Sequence, residues 1–83
     1  MEYYFTPQAL RQIKKLPRSI QKRIIKKLDF YCQESPFVYA DSLIDTRLGG
    51  YRFRIGSYRV VFDKEGEDAI RILKIGHRRD VYR

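Results

Sequence analysis

Arg52, Arg54 and Arg59 stand in a stretch that alternates basic and apolar side chains, and the chain closes on Gly76-His77-Arg78-Arg79-Asp80-Val81-Tyr82-Arg83. Guanidinium groups grip phosphate oxygens through paired, charge-assisted hydrogen bonds. A neutral imidazole accepts a proton, which no guanidinium does at an accessible pH, and a phenol exchanges one. Cations for a charged phosphorus centre and one or two groups for proton transfer suffice for RNA cleavage without a metal.

The elements that must hold these residues are legible from periodicity. Tyr51-Arg52-Phe53-Arg54-Ile55 alternates strictly, Gly56-Ser57 reads as a two-residue hairpin turn, and Tyr58-Arg59-Val60-Val61-Phe62 returns. Tyr51, Phe53, Ile55, Tyr58, Val60 and Phe62 then share one face, which leaves Arg52, Arg54 and Arg59 on the other. Like charges on neighbouring strands repel by a few tenths to ~1 kcal/mol per close pair. With no acidic residue read on that face to neutralise it, the pattern predicts an anion site. The tail starts at the end of the last strand. Val81 and Tyr82 are apolar enough to dock, which would return Tyr82 toward the sheet.

Upstream, Tyr3-Tyr4-Phe5 reads as an opening strand, and Thr6-Pro7 as a helix cap with proline at the first helical position. Leu10, Ile13 and Leu16 follow at helical spacing until Pro17 ends the helix. A second helix begins at Arg18 or Ser19 and presents Ile20, Ile24, Leu28, Tyr31 and Cys32 on one apolar face. Lys22, Arg23, Lys26 and Lys27 form a basic face beside it, read first as a solvated surface that adds long-range attraction to RNA. Ser35-Pro36 stops this helix. Residues 36–50 show no period and read as a connector, residues 63–68 as a polar turn, and residues 69–75 as a third apolar strand. The order β-α-α-β-β-β predicts a small α+β domain over residues 1–83, a mainly antiparallel sheet with two N-terminal helices packed on one face.

A chain of 83 residues cannot divide its apolar side chains between two cores. Its net charge of +8 points to a polyanionic partner: nucleic acid, an acidic protein segment or an anionic membrane. The membrane is disfavoured, because the helical apolar stripe is needed for the core and no apolar run nears the ~20 residues of a span. A single cysteine and a single histidine leave no internal disulfide or cysteine-based metal site. Met1-Glu2-Tyr3-Tyr4-Phe5 lacks the basic and apolar regions of a signal peptide. The expectation is a soluble cytoplasmic protein without a cofactor.

Leu48-Gly49-Gly50-Tyr51-Arg52-Phe53-Arg54-Ile55-Gly56-Ser57-Tyr58-Arg59-Val60-Val61-Phe62, followed by Ile75-Gly76-His77-Arg78-Arg79-Asp80-Val81-Tyr82, resembles the RelE-type toxins of bacterial and archaeal toxin–antitoxin systems. Element order and length agree, so the resemblance covers almost the whole chain. It implies a toxin that cleaves mRNA in the ribosomal A site without a metal, the 2′-hydroxyl attacking the adjacent phosphate to leave a 2′,3′-cyclic phosphate and a 5′-hydroxyl. By position it implies that Arg52 and Arg54 match a basic pair, Arg59 a phosphate-binding arginine, Arg78 (or Arg79) a transition-state arginine, and Tyr82 a tyrosine near the scissile nucleotide. With arginine at both 52 and 54, no lysine remains there to lose a proton, so His77 is the expected general base, with Arg59 and Arg78 on the phosphate and Tyr82, as its phenolate, the alternative base. Tyr82 otherwise stacks on a base or shuttles a proton. Lys22, Arg23, Lys26, Lys27, Arg79 and Arg83 are expected to contribute RNA contacts.

ParE-type toxins resemble the same fold, act on DNA gyrase and are not nucleases. They typically lack the paired hairpin arginines and the His/Tyr tail. An inactive relative, or a module that binds nucleic acid without cutting it, is the third class, in which salt-sensitive RNA binding persists without product. The partners implied are the ribosome with its mRNA and an acidic, RelB-like antitoxin whose disordered segment folds over the basic face. The toxin itself is expected to be monomeric and to oligomerise through that antitoxin.

Overall fold

A computed structural model of the chain describes residues 1–44, 47 and 49–82. Leu48, part of the quoted motif, and Arg83, an expected RNA contact, lie outside the described residues. The described elements are β1 (Glu2–Phe5), α1 (Pro7–Lys14), α2 (Arg18–Cys32), a single 3-10 turn at Pro36–Val38, β2 (Asp41–Ser42), β3 (Tyr51–Ile55), β4 (Tyr58–Glu65) and β5 (Ala69–His77). Among the described residues the strands form one sheet in the order β1-β5-β4-β3-β2. The pairing of β1 with β5 is parallel and the rest is antiparallel.

Local chemistry accounts for the helices. Thr6 Oγ1 accepts the Ala9 N–H at 3.1 Å, and Pro7 follows it at the first helical position, where its missing N–H is no loss. Pro17 separates the helices, as the sequence predicts, and α2 starts at Arg18. Both helices lie on one face of the sheet. Ala9 and Ile13 of α1 and Ile24, Leu28 and Cys32 of α2 are buried against Phe53, Ile55, Val60, Phe62, Ile70, Ile72 and Ile75. Phe53 and Phe62 stack across β3 and β4 with ring centroids 4.4 Å apart. Side chains of this size contribute about 1.5–3 kcal/mol each on full burial. Gln12 of α1 accepts the Ile75 N–H at 2.8 Å, next to the place where β4 and β5 slip register.

The hairpin is as read: Ile55 pairs with Tyr58, and Gly56 takes φ +60° at the first turn position. Three boundaries move. The polar turn shortens to residues 66–68, because Asp63, Lys64 and Glu65 continue β4 opposite β5. The last strand runs on to His77. The connector contains β2, in which Asp41 pairs with Arg52 and Ser42 with Tyr51.

The second face of the sheet is not bare. Val61, on the Arg52 side by register, is wholly buried. Gly49 presses on it: a Cβ there would stand 2.6 Å from Val61 Cγ1 and 3.1 Å from Leu73 Cδ1. Its φ of +142° is itself open mainly to glycine.

Candidate functional site

Edge strand β2 delivers Asp41 to the basic face. Its Oδ2 accepts from Arg54 Nε at 2.7 Å and from Arg52 Nη2 at 3.4 Å. The expectation of a face without neutralising acid is therefore corrected: Arg52 and Arg54 share Asp41. A two-residue strand has no period to read, and only its pairing with β3 places the carboxylate. The Arg54 hydrogen bond, with the two positive charges nearby, holds the Asp41 carboxyl below the usual carboxylate range despite some desolvation.

The tail completes the cluster. Arg78 N–H donates to Ser57 O at 2.8 Å, and the Asp80 and Val81 amides donate to His77 O at 2.8 and 3.0 Å, so the chain reverses directly after β5. Val81 is then 2% exposed and lies over Gly76, where an added Cβ would meet Val81 Cβ at 3.6 Å. Tyr82 is carried back over β3. Arg52 Nη1 donates to its phenol oxygen at 2.8 Å, and the guanidinium carbon is 5.9 Å from the ring centroid. The phenol and Asp41 together raise the Arg52 pKa, against an opposing effect of burial. Arg52 Nε is enclosed without a hydrogen-bond partner among the described residues.

The other expected site residues distribute around this centre. Arg59 pairs with Arg54 in register, but its Nη1 turns to the hairpin tip and donates to Gly56 O and Tyr58 O, both at 2.9 Å. Arg78 and Arg79 are exposed beside the same turn. His77 is not brought to the phenol. It pairs with Tyr58, and its ring stands edge-on to that tyrosine at 5.6 Å. Gly76, the preceding residue, pairs with Arg59, so alternation places the imidazole on the opposite face from Arg52, Arg59 and Tyr82. Its Nδ1 accepts the Arg79 N–H at 3.2 Å. The α2 cations divide. Arg23, Lys26, Lys27 and Phe30 line one groove, while Lys22 lines a second with Arg18, Ile25 and Asp29, and Lys26 borders both.

The description of the family whose model matches residues 3–82 is the ParE toxin of type II toxin–antitoxin system, parDE. The chain belongs to the RelE/ParE superfamily of type II toxins. This toxin is similar to a chain in the crystal structure of the toxin–antitoxin complex RelBE2 from Mycobacterium tuberculosis, with TM-score 0.81 and 25% identity, covering 92% of this chain and 95% of that one. Comparison with curated proteins finds no significant match.

Among the described residues of the toxin, no three His, Cys, Asp or Glu side chains gather as metal ligands. No described helix is long and apolar enough to cross a membrane. The site that the fold assembles is a chain of hydrogen bonds, Arg54–Asp41–Arg52–Tyr82, with Arg59 next to it. Asp41 is the member that sequence reasoning missed. Its only signal was an acidic residue in a connector of otherwise unreadable pattern.

Proposed function

We propose that this toxin is an mRNA endoribonuclease acting in the ribosomal A site by attack of a 2′-hydroxyl on the adjacent phosphate. The reading rests chiefly on the Arg52–Tyr82 hydrogen bond, which sets a protic group inside a guanidinium cluster. Arg52 uses one lone pair of the phenol oxygen and leaves the phenolic hydrogen for a substrate oxygen. In the proposed step the 2′-oxygen bonds to phosphorus and the bond to the 5′-oxygen breaks. Tyr82 passes its proton to that leaving oxygen and takes up the proton released by the 2′-hydroxyl. Arg59, Arg54 and Arg78 hold the phosphate oxygens as charge gathers on them, and no metal ion is required of the scheme. Tyr82 takes the proton-transfer role in place of His77, whose ring the register turns to the far face. The partner is an acidic antitoxin, a reading supported by the RelBE2 likeness and by the charge of +8.

The family description favours a second reading, a gyrase-directed toxin of the ParE type. Toeprinting on translating ribosomes separates the two. A codon-positioned cut made by the wild type and lost in an Arg59→Ala, Tyr82→Phe double variant is expected. No cut on programmed ribosomes, with inhibition of gyrase supercoiling instead, would establish the second reading.

A further inference from the structure

The hairpin tip joins two basic regions that are far apart in sequence. Arg23 reaches from α2 onto Gly56: its Nη2 and Cζ lie 2.7 and 3.0 Å from where a Cβ of that glycine would stand. Arg59 contacts the same residue from the strand side, through Gly56 O at 2.9 Å. Neither guanidinium has a carboxylate partner among the described residues, in contrast to Arg52 and Arg54. From Arg23 the helix continues with Lys26, Lys27 and Phe30, at i+3, i+4 and i+7, so all four share one face. They line an open groove of ≈ 400 Å³. Phe30 is 52% exposed, unusual for so large an apolar side chain, and it tilts against Tyr39, itself 41% exposed, at 5.6 Å.

We propose that this surface is an RNA track: Arg59 and Arg23 hold backbone phosphates on either side of Gly56, Lys26 and Lys27 extend the charge along α2, and Phe30 stacks on a base. The ligand class is single-stranded RNA. Cations in register with an exposed ring make a stacking platform, and the line of cations runs on to Arg59 of the candidate site, which favours a phosphate backbone; an acidic helix is the competing occupant that the test separates. The proposal rests on the RNA-cleaving reading above and extends it to residues beyond the Arg52–Tyr82 cluster. A strand that leaves the sheet face at Arg59 passes directly onto α2.

The test is fluorescence anisotropy of the full chain with a short labelled single-stranded RNA, and with labelled polyglutamate for comparison. Arg23→Ala, Phe30→Ala and, as a charge control at the far end of β4, Lys64→Ala are measured beside the wild type. Arg23→Ala and Phe30→Ala should each weaken RNA binding about five- to tenfold, as loss of a stacked base or a phosphate contact does. Arg23→Ala should also lower the log–log salt slope by about 0.7, one phosphate's worth for a single strand. Phe30→Ala should leave polyglutamate binding unchanged. All three residues are exposed, and matching melting curves show that the fold is intact. RNA binding that is absent in the wild type, or equal in Arg23→Ala, Phe30→Ala and Lys64→Ala, overturns the track. A loss on polyglutamate as large as that on RNA for Phe30→Ala overturns it too, and marks the face as a dock for an acidic protein. If RNA binding follows the expected pattern while ribosomes remain uncut, the track stands and the cleavage reading falls.

Discussion

Arg52, the second residue of β3, donates a 2.8 Å hydrogen bond to the phenol oxygen of Tyr82, thirty residues later in the chain. The contact exists because the tail reverses after His77 and buries Val81 over Gly76. A residue near the chain terminus, where fraying is the usual outcome, is thereby set among the sheet arginines. The proposed cleavage chemistry requires this docking.

Tyr82→Phe keeps the ring and the buried Val81 and removes only the hydroxyl. Cleavage on ribosomes should fall about 10²- to 10³-fold, the range for loss of a proton-transfer group. The melting temperature should stay near that of the wild type. Quantitative toeprinting with a thermal melt on the same preparation reads both.

His77→Gln should retain cleavage within about threefold, far short of the ~10²-fold that removal of a general base brings. The imidazole packs edge-on to Tyr58 and lies across the sheet from the phenol. A single-turnover rate near that of Tyr82→Phe would return the base to His77.

Asp41→Asn should make the acid limb of stability shallower. Folding lowers the Asp41 carboxyl pKa, so the folded state favours its ionised form. That contribution is present in full above the ordinary carboxylate value near pH ~4 and is lost as pH falls through the lower, folded value. The variant should be less stable than wild type at neutral pH, with the gap closing in strong acid. Urea midpoints at neutral pH and at about pH 3 measure the closure; a gap independent of pH would show that the ion pairs with Arg52 and Arg54 do not stabilise the fold.

Gly49→Ala should destabilise the domain by about 1–3 kcal/mol, since it combines an unfavourable φ with a contact against Val61 that cannot relax freely. Denaturant unfolding gives the value. Gly66→Ala makes a useful comparison, because its φ of +62° carries strain but nothing stands within 4 Å of its Cβ position.

Much of this molecule could be read from local pattern. Thr6-Pro7 caps α1, Pro17 divides the helices, and the alternation around Gly56-Ser57 is the β3–β4 hairpin with Arg52, Arg54 and Arg59 on one side. The apolar spacing of Ile24, Leu28 and Cys32 marks the buried face of α2. These features rest on periodicity and turn chemistry, which act over a few residues and are written wherever those residues stand. Asp41 was illegible because two residues carry no period, and its partners lie eleven and thirteen positions away. Which side of the sheet His77 faces depends on where β5 ends and on its register with β4, and the approach of Arg23 to Gly56 depends on how α2 lies across the hairpin. The sequence by itself therefore determined which residues could do chemistry and which elements carry them. The tertiary structure alone decided which of them meet, because register and docking are settled by packing the whole sheet against its helices and tail.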